Sequence, residues 1–280
     1  MATDNAVRTG RVRATLLALT VLAGTLLGGV AAAPAQAATA TLVGNDISWP
    51  QCPKGMGIPQ RRTEGQPMPP TYSKFVVIGL TNGPAFYPNP CLADQVAFAK
   101  KRHMWTAAYA MTTYPTTAQL AKYGTAGPYA GTSKTAKLRN AGYAQARFNV
   151  NNMRKAGLQS PMIWVDVEPY PVAPWSKSIT ANRAVLHGAL WAYAKAGLKV
   201  GFYSTPSLWR GIVGNLRYSA PEWRATGHSS QSTARAACTG TSVQGGRAVM
   251  GQWVNGNRDW NVACAGYTTA TVLRKYFRKY

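Results

Sequence analysis

A 280-residue chain with 14% charged and 10% aromatic side chains has a globular composition and is long enough to bury a substantial core, which excludes a disordered or low-complexity polymer. Its 31 Lys and Arg against 8 Asp and Glu give a formal net charge of +23, a balance that favours polyanionic partners and excludes a polyacidic one.

The first segment reads as an export signal. Arg8, Arg11 and Arg13 precede an apolar run over residues 14–30, and Ala35-Gln36-Ala37 has the small-x-small form of a cleavage site. This predicts a signal peptide over residues 1–37 and one secreted domain over 38–280, extracellular or wall-associated. The run is too short and too glycine-rich for a membrane span, and no later stretch is apolar enough for stable membrane insertion. Taking Arg8, Arg11, Arg13 and Asp4 from the totals leaves 28 basic against 7 acidic residues. Outside the cytoplasm such a surface meets anionic wall polymers, peptidoglycan carboxylates or anionic lipids rather than nucleic acid.

Residues 41–48 read as a first strand and the Pro/Gly-rich residues 50–70 as a surface loop. The β-branched run over 75–80 predicts a buried strand closed by Thr81-Asn82-Gly83-Pro84. A helix over 91–103 and a strand over 105–111 follow. Residues 112–135, rich in Gly, Pro, Ser and Thr, read as one long loop; Gly124, Gly127 and Gly131 there fit no phosphate-binding pattern. Next come a helix over 138–155 ending at Gly157 and a strand over 162–167. A helix capped by Thr180 and ended by Gly197, then a strand over 200–204, complete this part. Beyond Trp209 only short strand-like pieces are expected, at 222–225, 249–254 and 260–262, with no long helix between them. Residues 273–280 read as a terminal helix with one docked face. Alternating strands and helices imply a parallel sheet, and about eight strands favour an α/β barrel of the TIM type over a doubly wound sheet.

Four cysteines, Cys52, Cys91, Cys238 and Cys264, allow three disulfide connectivities; two early and two late positions favour Cys52–Cys91 and Cys238–Cys264. The cysteine and histidine spacings match no metal site, and no cofactor motif is present, so neither a metal nor a cofactor is expected.

Acid–base chemistry has few places to reside. The seven carboxylates beyond the leader are Asp46, Glu64, Asp94, Asp166, Glu168, Glu222 and Asp259. Asp166-Val167-Glu168 ends an apolar strand. Its i, i+2 spacing points both acids to one side, with Cα atoms roughly 6.5–7 Å apart. Two neighbouring carboxyls cannot ionise equally easily, so one is held protonated beside an ionised partner, as protonating a glycosidic oxygen requires. In a chain this basic, the ordinary alternative is that each acid pairs with Arg or Lys.

Several segments resemble glycoside hydrolase family 25 lysozymes. Gly44-Asn45-Asp46-Ile47-Ser48-Trp49-Pro50-Gln51 is similar to that family's opening strand, and Trp164-Val165-Asp166-Val167-Glu168 to its D-x-E strand end. Gly201-Phe202-Tyr203-Ser204 resembles its Tyr-bearing fifth strand; Gln252-Trp253 and Asp259-Trp260-Asn261 resemble its closing strands. The matches run in family order across residues 44–261. The resemblance implies a barrel of five β/α units closed by three further strands, and muramidase chemistry on cell-wall peptidoglycan. It implies Glu168 as general acid/base, and Asp166 as nucleophile or as support for an intermediate formed by the substrate's own N-acetyl group. Asp46 and Asp259 would complete the acidic cluster. Tyr203, Gln252 and Asn261 would bind sugar, and Trp49, Trp164 and Trp253 would offer faces for sugar rings, with core packing the ordinary alternative for at least one of these tryptophans. Cys52 and the Pro-rich insertion after it, with the long segment 112–135, depart from the family pattern and would reshape the groove. The same barrel without catalysis would be a wall-binding module, and the charge alone would suit a polyanion binder. The enzymatic reading requires that four acids distant in sequence meet at one rim.

Overall fold

A computed structural model describes residues 41–280; the export-signal reading over 1–37 lies outside them. In chain order the elements are β1 (Val43–Ile47), a 3-10 turn (Trp49–Gln51), β2 (Gly57–Ile58), β3 (Arg61–Arg62), β4 (Phe75–Gly79), α1 (Leu92–Lys101), β5 (Trp105–Met111) and α2 (Thr117–Tyr123). They continue with α3 (Lys134–Lys155), β6 (Met162–Asp166), α4 (Ile179–Lys195), β7 (Lys199–Ser204), α5 (Pro206–Val213), β8 (Glu222–His228) and α6 (Gln231–Ala237). The last are β9 (Ala248–Asn255), β10 (Arg258–Ala263), α7 (Ala270–Leu273) and β11 (Arg278–Lys279).

Eight strands close into a barrel: β1, then β4 through β10 in sequence order, with β10 returning to β1. Neighbours from β1 round to β9 are parallel, and β10 runs antiparallel to both β9 and β1. Five strands, β4 to β8, are each followed by helix. The three with no α-helix leading on to a further barrel strand, β9, β10 and β1, lie side by side, β1 being followed by the β2–β3 ribbon and β10 by the tail with α7. This is the five-plus-three barrel, and it rules out the doubly wound alternative. One of the three helix-free strands is the first in sequence rather than all three coming last.

The strands are apolar on both faces because both are covered. Val76, Ile78, Ala108, Ala110, Ile163, Val165 and Phe202 pack outward against helices through Val96, Val150, Leu186 and Trp209. Residues of the other parity, including Phe75, Val77, Met162, Trp164, Tyr203 and Trp223, fill the barrel interior. Gly201 makes room there: a Cβ on it would lie 2.5 Å from the Trp164 ring. Gly201→Val is therefore expected to cost about 1–3 kcal/mol through overpacking. Thermal unfolding checks this, at roughly 2–4 °C per kcal/mol for a domain of this size.

The structure departs from the sequence expectations in several places. Residues 112–135 are not one loop: Thr116 and Gln119 form a capping box that starts α2. Ser133 caps α3 a turn earlier than expected, and Ser178, not Thr180, caps α4. Residues 50–70 contain the β2–β3 ribbon and fold partly inward, burying Gln51, Cys52 and Thr63. Short helices α5 and α6 interrupt the supposedly strand-rich end. The tail is not a helix. Leu273 and Phe277 join the interior cluster, and β11 pairs with Trp105 and Thr106 of β5, ahead of the point where β6 joins that strand at Ala108. The disulfides are Cys52–Cys91, which ties the ribbon loop to the start of α1, and Cys238–Cys264, which ties α6 to the end of β10.

Candidate active site

In a parallel barrel the C-terminal strand ends share one mouth. Asp46 is the penultimate residue of β1, Asp166 the last of β6, and Glu168 lies two residues beyond it. Asp259 is the second residue of β10, yet it reaches the same mouth because β10 runs antiparallel, in a register that sets it directly opposite Asp46. All four acids line one cleft of about 340 Å³, together with Tyr109, Tyr203, Thr205, Leu208, Trp223, Gln252 and Val254.

No Lys or Arg lines this cleft. Among the described residues the one ion pair is Arg224–Glu222, elsewhere in the molecule. The ordinary alternative, each acid neutralised by a guanidinium, therefore fails for all four.

Asp46 is fixed from below by a hydrogen-bond chain. The Tyr203 hydroxyl donates to Gln252 Oε1 at 2.8 Å, which turns the Gln252 amide nitrogen toward both Asp46 oxygens at 3.2 Å. On the other side, Trp223 Nε1 donates to Asn261 Oδ1 at 2.7 Å, and Asn261 Nδ2 donates to Asp46 Oδ1 at 2.7 Å. Asp166 differs: its Oδ1 is buried with no hydrogen-bond partner. A buried carboxyl oxygen left this way is open to a donor from a substrate or from water.

Burial raises every acid of the group, and repulsion from neighbouring acids adds to it for Asp46, Asp166 and Glu168. Burial first, then Asp259, pushes Asp46 well above the carboxylate range, against the Asn261 and Gln252 hydrogen bonds. Burial, then Glu168 and Asp46, does the same to Asp166. Burial and Asp259 push Glu168 up to about 7. Burial pushes Asp259 up to about 6, with His228 opposing. The cluster therefore holds protons shared among its members near neutral pH. Burial and these acids also push the Tyr109 and Tyr203 phenols well above their ordinary value, which keeps them as O–H donors.

Of the side chains expected to bind sugar, Tyr203 and Gln252 border the cleft. Asn261 does not face it; fully buried, it acts through Asp46. Trp164 offers no face to a sugar, since it has the inward parity of Asp166 one layer deeper and is fully buried. Trp253 has the opposite parity to Gln252 and packs outside the barrel against Ala234 and the Trp260 ring. Trp49 lies beyond the cleft lining, with the Arg61 guanidinium 5.9 Å from its ring and 5.0 Å from that of Tyr170. Sequence reasoning missed Tyr109, Trp223, Thr205 and His228. His228 sits opposite Val254 of β9, whose neighbour on the other side is Asp259. Only the closed register reveals that proximity.

A family model described as lysozyme-like protein 1 matches residues 96–234. No curated protein matches the chain. Among solved structures, the bacterial lysozyme from Streptomyces coelicolor is similar with a TM-score of 0.55 at 19% identity, over 85% of this chain and 98% of that one. The family GH25 lysozyme from Aspergillus fumigatus gives 0.51 at 18% identity, over 84% and 98%. A family 25 glycosyl hydrolase from Bacillus anthracis gives 0.51 at 16% identity, over 85% and 94%. With the eight-stranded closure and the five helix-bearing crossovers, these likenesses identify the architecture: the chain has the glycoside hydrolase family 25 lysozyme-like fold.

Proposed function

We propose that this protein is an exported glycoside hydrolase that cuts the β-1,4 bonds of cell-wall peptidoglycan in the manner of a muramidase, its basic surface engaging anionic wall polymers. The observation that carries the reading is a cleft holding four acids and no cation in a chain dominated by cations. A merely structural set of carboxylates in such a chain would be expected to sit against guanidinium or ammonium groups.

Glu168 is the general acid. With its carboxyl raised to about 7, it carries a proton in mildly acidic solution. It delivers that proton to the glycosidic oxygen as the bond from the anomeric carbon to that oxygen breaks. The reactive form is the one in which the proton shared by the pair sits on Glu168 and Asp166 is ionised; Asp166 then faces the positive charge that develops on the sugar, either bonding to the anomeric carbon or steadying a ring closed by the substrate's N-acetyl oxygen. Glu168, now ionised, takes a proton from the water that completes hydrolysis. Asp46 and Asp259 hold sugar hydroxyls, and Asp259 keeps the Glu168 proton in place.

The pH dependence tests this. Hydrolysis requires the protonated form of Glu168, so kcat/KM is expected to fall about tenfold per pH unit above roughly 7. Because Asp259 helps to raise Glu168, Asp259→Asn should move that alkaline limb to lower pH. Release of reducing ends from purified peptidoglycan, followed from pH 4 to 9, measures both. A rate flat up to pH 9 would remove Glu168 from the acid role. No release from any wall preparation would favour a non-catalytic binder.

A further inference from the structure

The acids at the mouth have a counterpart at the opposite end of the barrel. Helices α1, α3 and α4 lead into β5, β6 and β7, so their last turns lie at the base, and each ends in Lys or Arg. Helix dipoles favour cations there, which accounts for that much of the charge. They do not account for the tail, which folds across the same end and adds Arg274, Lys275, Arg278 and Lys279. Arg154 of α3 and the tail's Arg274, Arg278 and Lys279 line one cleft of about 690 Å³, with no acid in its lining. All four are exposed, and none is in an ion pair with a described carboxylate. Glu222, the acid at the base end of β8, is already satisfied by Arg224.

We propose that this basal cleft is a docking site for a linear phosphodiester polymer. The proposal takes up the anionic-polymer part of the functional reading and is tested without reference to hydrolysis. A concave surface carrying four exposed cations, none in an ion pair with a described carboxylate, concentrates positive potential and attracts anions in a salt-dependent way. Three of the four are arginines, whose planar fork grips phosphate oxygens in pairs. Its four cations, drawn from α3 and from both ends of the tail, suit several successive phosphates rather than one. An anionic membrane fits less well, because peripheral attachment joins charge to inserted apolar side chains, and none of the six exposed large hydrophobics lines this cleft. Docking at the base leaves the acidic mouth at the far end of the barrel, turned away from the polymer.

The test uses the full chain and long-chain inorganic polyphosphate as probe, with binding measured by calorimetry from 50 to 300 mM salt. One variant carries R154Q, R274Q, R278Q and K279Q. A control carries K54Q, K122Q, K134Q and K177Q, an equal charge change at exposed positions on mouth-side segments. Circular dichroism confirms folding of both. The basal variant is expected to bind at least tenfold more weakly at low salt, with a shallower dependence of log affinity on log salt; the control should change less than threefold. Equal weakening of the two variants would overturn the proposal by showing only bulk charge at work. So would tighter binding of the wild type to vesicles of anionic phospholipid than to polyphosphate.

Discussion

Glu168→Gln is expected to lower hydrolysis of purified peptidoglycan by about 10²–10⁴-fold while making the protein more stable at pH 8. The amide keeps the shape of the side chain and cannot give up a proton to the leaving oxygen. The sign of the stability change follows from the raised carboxyl. Folding lifts Glu168 from 4.5 to about 7, so between those values the folded state binds more protons and loses stability as pH rises. Above 7 the wild-type carboxylate is ionised against burial and against Asp259, and that penalty is fully present. Below about 4 both folded and unfolded chains hold the proton, and the penalty vanishes. The variant should therefore melt several degrees higher than wild type at pH 8, with the gap closing at pH 4. Scanning calorimetry at the two pH values reads it. A variant that melts lower at pH 8 would mean that Glu168 holds the fold together rather than serving chemistry.

Glu222→Ala should have the opposite outcome, a loss of about 3–5 kcal/mol with the chemistry spared. Glu222 is fully buried and accepts from Arg224 Nε at 2.8 Å, from the Ser242 hydroxyl at 2.6 Å, and from the backbone N–H groups of Val243, Gln244 and Gly246 at 2.8–3.0 Å. These donors hold its carboxyl below the ordinary value despite burial. Removing it strands a buried guanidinium and three amides. At about 2–4 °C per kcal/mol, the melting temperature should fall by roughly 10 °C. A folded-state carboxyl that is depressed contributes stability present above the unfolded value and lost as pH falls, so the deficit should shrink in acid. Glu222 opens β8, whereas Ala225 and Gly227, further along that strand, line the cleft; kcat of the folded fraction should hold at low temperature. Adding Arg224→Leu should recover part of the loss, since it removes the stranded charge. No recovery would assign the effect to the orphaned amides alone.

The acids at the mouth differ in how visible they are in the sequence. Glu168 stood out because acids are scarce and because it follows a strand end with Asp166 at same-face spacing. Asp46 is legible from the scarcity of acids and from the resemblance of residues 44–51 to the family's opening strand. Asp259 needed more, because its strand is antiparallel and its place at the mouth depends on the β1–β10 register. Asn261, Trp223 and His228 act through neighbours that closure alone brings together. Trp164 and Trp253 take the core-packing alternative to a sugar face, and strand parity already points to it. Trp164 shares the parity of Asp166 one step deeper, and Trp253 has the opposite parity to Gln252. Strands with dense β-branched or apolar runs were readable nearly to the residue, as in Trp105–Met111. The short helices were not. Two turns of α5 or α6 carry too few apolar positions to establish a period, although the Thr116/Gln119 capping box is a local signal for the start of α2. The tail is not legible as a strand because its pairing with β5 uses a strand edge that exists only where β6 starts late.

The central claim is that the acids at the mouth break glycan, and the products of digestion test it most directly. Purified peptidoglycan is incubated with wild type and with Glu168→Gln at pH 6, and the soluble fragments are reduced and analysed by mass spectrometry. The account predicts disaccharide-peptides ending in a reduced muramic residue from the wild type and none above background from the variant. Identical fragments from both proteins, or intact glycan strands from both, would contradict it.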